Sequence, residues 1–314
     1  MAESLTDTTL LTRLSSEPVL GVSMAHVSLL RLDLAGGLAP GNKAFKLQGN
    51  IAAAQHRGIN RLVSFGGAWS NHLHALAAVA HQHGMESVGL VRGGEHDTAM
   101  LKDARAWGMQ VELLSRADYR RRNDPGYLQQ LVDRYGPCLL VPEGGANPEG
   151  VAGCAAIATL VRELAPDIAR VVLAVGTGTT LAGLAAGLGT GTATEIVGIS
   201  ALRAAQDLER RVRSALAANG VGVHAGWEIL HQHHCGGFAR VTPALKEFIL
   251  AFESVQGIAL DPVYTGKMLF AVHQLCASEQ WDSTPLLAVH TGGLQGRRGF
   301  SWLRESQLAS RPKR

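Results

Sequence analysis

The chain has no concentrated run of lysine and arginine, no apolar stretch of membrane-spanning length and no two cysteines at CxxC spacing. Each absence argues against a class of function. The formal net charge is only +3 over 314 residues. Basic strings such as "RRVR" at 210–213 and "RPKR" at 311–314 read as a helix face and a frayed tail, which speaks against a nucleic-acid footprint. Residues 1–18, "MAESLTDTTLLTRLSSEP", show no basic-then-apolar signal pattern, so a soluble cytoplasmic protein without a membrane partner is expected. Cys138, Cys154, Cys235 and Cys276 stand far apart, and structural disulfides are not expected in a chain of this size and setting. The cluster "HQHHC" at 231–235 has zinc-binding atoms but lacks a second ligand pair at suitable spacing. It reads as a polar loop, and no metal is expected. Low-complexity linkers and repeats of 20–50 residues are missing too, so a domain boundary must be crossed by compact chain.

What is present is a compact α/β composition. Hydrophobic residues make up 46% and charged ones 18%, in a length that suits one large α/β domain or two medium ones. Apolar runs that suit strands are "RLVSF" (61–65), "SVGLV" (87–91), "QVELL" (110–114), "CLLVP" (138–142), "RVVLAV" (170–175), "EIVGIS" (195–200) and "PLLAVH" (285–290). Between them lie segments with helical apolar spacing, such as "SNHLHALAAVAHQHG", "TAMLKDARAWG" and "VAGCAAIATLVREL". Near-continuous apolar strands alternating with helices predict parallel sheets covered on both faces.

Sites in such folds form at the carboxyl ends of strands. Four strand-to-turn junctions are rich in glycine: "FGGAWSN" (65–71), "PEGGAN" (142–147), "VGTGTT" (175–180) and "HTGG" (290–293). In the third, Gly176, Thr177, Gly178, Thr179 and Thr180 join a strand to a helix, where amide N–H groups and hydroxyls suit an anion. A P-loop needs a lysine that does not follow, and a dinucleotide fingerprint needs glycine where Leu181 stands. A small phosphate fits best; a tight turn without a ligand is the plain alternative. Two lysines, Lys43 and Lys46, sit at i and i+3 in "GNKAFKLQGN", at the expected start of another helix and on one of its faces. A phosphate cradle combined with a lysine at a helix start suggests pyridoxal phosphate, with one lysine as covalent anchor and the other as counter-charge.

Six motifs, "GNKAFKL", "FGGAWSNHLHALAAVA", "VPEGGANPEG", "GTGTTLAGL", "DPVYTGKM" and "HTGG", follow one another between about residues 30 and 296. In that order the chain resembles the D-cysteine desulfhydrase / 1-aminocyclopropane-1-carboxylate (ACC) deaminase family, fold-type II pyridoxal-phosphate enzymes of the tryptophan synthase β superfamily. The resemblance implies two parallel-sheet α/β domains with the cofactor in the cleft between them. The large one would comprise 1–47 and 156–314, and the small inserted one 48–155. A homodimer is implied as well.

The resemblance also implies roles. Lys43 would be the Schiff-base lysine and the base for the substrate Cα proton, Lys46 a phosphate contact, and Asn71 a partner of the cofactor's ring hydroxyl. Residues 176–180 would hold the phosphate and Thr291 would meet the pyridine nitrogen. Ser70 would face the substrate near its carboxylate, and Tyr264 would reach the substrate side of the ring. Plainer readings stand beside these: Lys46 as a solvated lysine, Ser70 as the N-cap of a helix beginning at Asn71, Tyr264 as a core tyrosine, and His72 as a packed histidine as readily as a catalytic one.

Members that open the ACC ring resemble one another in having Glu after the tyrosine and Gln after Ser-Asn. This chain has Thr265 and His72 there, which is similar to the desulfhydrase pattern. The expected reaction is therefore β-elimination from a small D-amino acid, with D-cysteine giving pyruvate, hydrogen sulfide and ammonia. ACC deamination and cofactor binding without turnover are the alternatives; a nucleotide-dependent oxidoreductase is disfavoured by the missing third glycine. Two departures point to a divergent substrate. Phe238 in "GGFAR" replaces a second active-site tyrosine, and Ala44-Phe45 replaces the usual Thr-Arg after the lysine.

Overall fold

The computed structural model describes residues 8–93, 97–203, 207–222 and 226–303; the expected frayed tail at 311–314 lies outside them. Along the chain run β1 (Leu11–Arg13), β2 (Val27–Arg31), α1 (Asn42–His56), β3 (Arg61–Gly67), α2 (Asn71–Gln82), β4 (Glu86–Arg92), α3 (Ala99–Ala106), β5 (Gln110–Leu114), α4 (Arg116–Arg120), α5 (Pro125–Tyr135) and β6 (Leu139–Val141). Then follow α6 (Pro148–Leu164), β7 (Arg170–Val175), α7 (Thr179–Leu188), β8 (Glu195–Ser200), α8 (Leu208–Ala218), β9 (Trp227–Leu230), α9 (Pro243–Gln256), α10 (Thr265–Ala277) and β10 (Leu286–His290).

The strands form two sheets. The larger has the order β1-β2-β10-β7-β8-β9, and the smaller β5-β4-β3-β6. Pairing is parallel throughout, with one exception: β1 runs antiparallel to β2, with Leu11 opposite Leu30. All seven expected strand runs form. β1, β2 and β9 were not anticipated; β1 and β9 are short and contain no continuous buried run to betray them.

Both faces of both sheets are covered, and the side-chain alternation shows it. In β7, Val171, Leu173 and Val175 point into one apolar cluster with residues of α6, α7 and α8. Val172 and Ala174 point into the opposite cluster with residues of α9 and α10. In β3, Leu62 packs toward α1, α2 and α3, while Val63 and Phe65 pack toward Tyr119, Tyr127 and Leu131 of α4 and α5. Two-sided burial is the reason these strands are apolar at nearly every position.

The chain passes from the large sheet to the small one through α1 and returns through α6, so the expected boundaries at 47/48 and 155/156 fall inside helices. α1 and α6 lie in close contact, so the crossing is packed structure. The carboxyl ends of β3, β6, β7 and β10 all lead into the glycine-rich turns singled out above.

Candidate active site

The site is built on Gly41. Its φ of 128° suits glycine, and a Cβ there would come 2.6 Å from the Thr291 carbonyl oxygen. Bare backbone lets Gly41 bridge to Gly292 and lets the Asn42 amide donate to the Thr291 carbonyl at 3.1 Å. The first turn of α1 is thereby seated on the "HTGG" turn after β10. Asn42 Nδ2 donates to Thr180 Oγ1 at 2.8 Å, and Lys43 Nζ donates to Asn42 Oδ1 at 3.1 Å. Lys43 is partly buried, with Nζ 5.9 Å from the centre of the Tyr264 ring.

Lys46 is 2% exposed, which overturns the reading of a solvated helix lysine. Its Nζ donates to the Gly144 carbonyl at 3.0 Å and reaches Thr177 Oγ1 at 3.5 Å. Thr177 and Thr179 share a hydroxyl contact of 3.0 Å. Gly178, with φ 88°, is the N-cap of α7, so the 176–180 segment opens a ten-residue helix. Gly176 packs closely on Tyr264: a Cβ there would sit 3.1 Å from the ring. Lys43, Lys46, Tyr264 and the threonine loop thus stand together.

Among the described residues no carboxylate pairs with either lysine. Burial holds the Lys43 ammonium below its ordinary range, with Cys154 and Asp261 opposing. For Lys46, burial, then repulsion from Lys43, brings the value down to about 7. Two buried amines with hydroxyls and a helix N-terminus beside them favour an anion.

The second arm comes from β3 and α2. Ser70 is the N-cap of α2, its hydroxyl accepting from the Leu73 amide at 3.2 Å, as the plainer reading expected. Asn71 follows; its Oδ1 accepts from Gln295 at 2.5 Å, and its amide nitrogen lies against Gly293, next to the Thr291 turn. His72 is 3% exposed and makes a 2.8 Å contact from Nε2 to Ser64 Oγ. Ser64 donates to the Val141 carbonyl at 2.6 Å, so its oxygen accepts from His72, and the His72 proton sits on Nε2. Nδ1 is then a buried acceptor without a partner. Burial and the two lysines push the His72 value down to about 3.

Tyr264 is held by Asp261. That carboxylate, 1% exposed, accepts from the amides of Val263, Tyr264 and Thr265 and from the Thr265 hydroxyl. The whole "DPVYTG" turn is organised by one side chain that the sequence reading did not single out. Burial raises the Tyr264 phenol, and Asp261 adds to the effect, so it stays protonated. Phe238 lies outside, 55% exposed, with its ring edge-on to Tyr264 at 6.2 Å.

Asn42, Ser64 and Gln295 were also missed. Asn42 had a visible signal, its place directly before Lys43; the other two had none. The "HQHHC" loop finds protein partners: His231 meets Glu209, His233 meets Gln274, His234 accepts from the Gly236 amide and Cys235 donates to the His233 carbonyl. All four cysteines are free thiols.

Residues 17–292 match the model of a family described as pyridoxal-phosphate dependent enzymes. The chain belongs to this family. Among curated relatives, a D-cysteine desulfhydrase of Klebsiella pneumoniae is 30% identical over 277 residues, covering 81% of this chain and 82% of that protein. A Pyrococcus abyssi protein, named provisionally as an ACC deaminase, is 28% identical over 302 residues, with 91% and 88% covered. The crystal structure of an ACC deaminase homologue aligns with a TM-score of 0.80 at 23% identity, over 97% of this chain and 99% of that one. Threonine deaminase isoform 2 of Solanum lycopersicum gives 0.65 at 16% identity, over 99% and 91%. The fold-type II architecture and the dependence on pyridoxal phosphate hold as expected from the motifs.

The residues of this member fit that cofactor. Lys46 lies buried beside the Thr177 hydroxyl at the N-terminus of α7, with no carboxylate paired to it among the described residues. Among the described residues, no helix is long and apolar enough to cross a membrane.

Proposed function

We propose that this enzyme performs α-proton abstraction and β-elimination on a small D-amino acid, most simply D-cysteine to pyruvate, hydrogen sulfide and ammonia. The observation that carries the reading is the placement of Lys43: an amine of lowered basicity, 5.9 Å from the Tyr264 ring and hydrogen-bonded to Asn42. In this reading Lys43 is the covalent attachment point. Lys46, Thr177, Gly178, Thr179, Thr180 and Gly176 hold the phosphate, Asn71 meets the ring hydroxyl and Thr291 the ring nitrogen.

When bound, the cofactor supplies an aldehyde for the substrate amine and a ring that withdraws electrons from Cα. The protein does the rest. Lys43, poorly solvated, would take the Cα proton as general base. Tyr264, kept protonated by burial, presents its hydroxyl on the substrate side. Ser70 and the first amides of α2 favour the carboxylate there by the helix N-terminal field. His72 stays neutral beside two lysines and supports α2 through Ser64 rather than moving a proton. A neutral hydroxyl such as Thr291 does not strongly favour a protonated ring nitrogen, which suits rapid elimination over a long-lived carbanion.

Thr265 supports the elimination branch, because its hydroxyl is committed to Asp261 and brings no acid to the ring-opening position. ACC deamination is the second reading, favoured by the provisional name of the archaeal relative. We further propose 48–155 as the small inserted domain, a homodimer, and a cytoplasmic location, the last consistent with four free thiols.

The test is pyruvate release from the cofactor-loaded enzyme offered D-cysteine, L-cysteine, D-serine and ACC, with Lys43→Ala as the blank. Pyruvate from D-cysteine, absent in the variant, is expected. Pyruvate or ketobutyrate from none of the four would sink the substrate class.

A further inference from the structure

Lys267 has no part in the chemistry above, yet it is buried to 1% exposure, among the largest fully enclosed side chains of the protein. No carboxylate pairs with it among the described residues. Its Nζ donates to the Gly237 carbonyl at 2.5 Å and reaches the Ala201 carbonyl at 3.5 Å. Removing a cation from water without a paired carboxylate is costly, so such a residue is accounted for by what it holds.

What it holds is an improbable loop. Cys235, Gly236, Gly237 and Ala239 have φ of 49°, 89°, 108° and 55°. Glycine takes these values freely; cysteine and alanine do so only at a steric cost, where the surroundings impose it. Local bonds close the turn: the Gly237 amide donates to the His234 carbonyl at 3.0 Å, and the Arg240 amide to the Gly237 carbonyl at 3.1 Å. Lys267 approaches that same Gly237 oxygen from the protein interior. The one residue of the loop outside the left-handed region is Phe238, which stands against Tyr264.

Tyr264 is the N-cap of α10 and Lys267 its third residue. One helical turn therefore fixes both the tyrosine beside Lys43 and the cation under the loop that rests on that tyrosine. We propose that Lys267 is a positioning residue for substrate choice: by fastening the 235–239 loop it sets where Phe238 stands, and so how much room the β-substituent of the amino acid has. The inference rests on the substrate side assigned to Tyr264 above.

The experiment uses the cofactor-loaded enzyme and two readouts, peptide-level hydrogen exchange over 235–240 and amino-acid affinity from the cofactor's visible band. In Lys267→Met, loop exchange rises and affinity for β-substituted amino acids falls about tenfold, the scale of one charge-assisted hydrogen bond, while kcat is kept. Phe238→Ala gives the same loss of affinity, and adding Lys267→Met to it gives no more. Unchanged exchange in Lys267→Met, or additive losses in the double variant, overturns the proposal. Phe238 is exposed, so Phe238→Ala tests the idea even where Lys267→Met does not fold: unchanged affinity in that variant alone overturns it. An enzyme that turns over no amino acid refutes the substrate reading, and loop exchange then still decides the role of Lys267.

Discussion

Asn42 Nδ2 donates to Thr180 Oγ1 over 2.8 Å, joining residues 138 positions apart and tying the first turn of α1 to the first turn of α7. The same side chain accepts from Lys43 at 3.1 Å. One amide thus spaces Lys43 against the 176–180 loop. In Asn42→Ala both partners lose their bond, and Thr180 is buried. Stability should fall by about 1–3 kcal/mol, and cofactor affinity should drop in parallel. Urea unfolding and an absorbance titration with pyridoxal phosphate measure the two. Unaltered cofactor affinity would remove Asn42 from the site.

Lys46 gives the proposed phosphate site a pH signature. In the cofactor-free protein its value lies at about 7, set first by burial and then by Lys43. A bound phosphate dianion favours the ammonium and raises that value, so binding above pH 7 must take up a proton. Affinity for inorganic phosphate or pyridoxal phosphate should weaken as pH rises through 7 toward 9. Below pH 7 Lys46 is already charged, and affinity for pyridoxal phosphate follows that monoester's own second ionisation at about 6. Lys46→Gln should bind more weakly and lose the alkaline decline. A decline that survives in Lys46→Gln assigns it to another group.

His72 should make the fold acid-sensitive. Its folded value is down at about 3, below the ordinary 6.5, so between those pH values the unfolded chain binds a proton that the folded chain does not. Stability on its account is complete above 6.5 and is lost as pH falls, by about 1.4 kcal/mol per unit at the steepest. His72→Gln keeps a donor for Ser64 and removes the titration. The stability gap between the two proteins should therefore shrink from pH 7 to pH 4 in denaturant titrations. A gap independent of pH would mean that His72 is not the buried neutral base seen here.

The sequence made the sheets legible because two-sided burial writes continuous apolar runs, as in "RVVLAV", and because the turns after those runs carry glycine. Lys43, Lys46, Tyr264 and the 176–180 loop were legible as motifs, and they do assemble. Lys267, Gln295 and Asp261 were not. Their roles depend on partners elsewhere in the fold: Gln295 reaches Asn71 across 224 positions, and Lys267 reaches Gly237 across 30. No periodicity records such meetings. β9 was missed for a related reason, since its only buried residue is Ile229. Glycine was read as a mark of turns, whereas several glycines here lie inside helices that touch.

Gly153, in the middle of α6, is such a case. On helix propensity alone Gly153→Ala should stabilise the protein by about 1 kcal/mol. The packing reverses the sign. A Cβ at 153 would lie well inside contact distance of the Phe45 carbonyl oxygen and 3.4 Å from the Gly49 amide nitrogen. Both obstacles are α1 backbone, so no side chain can swing aside, and overpacking of this kind costs about 1–3 kcal/mol. Phe45 lies between Lys43 and Lys46, and a displaced α1 moves both lysines relative to α7. Gly153→Ala should lower the melting temperature and weaken the visible band of bound cofactor. Gly126→Ala in α5, where the added carbon meets only Asp124 Oδ1 at 3.4 Å, should be neutral or stabilising. If Gly153→Ala behaves like Gly126→Ala, close α1–α6 backbone contact is not what sets the lysines in place.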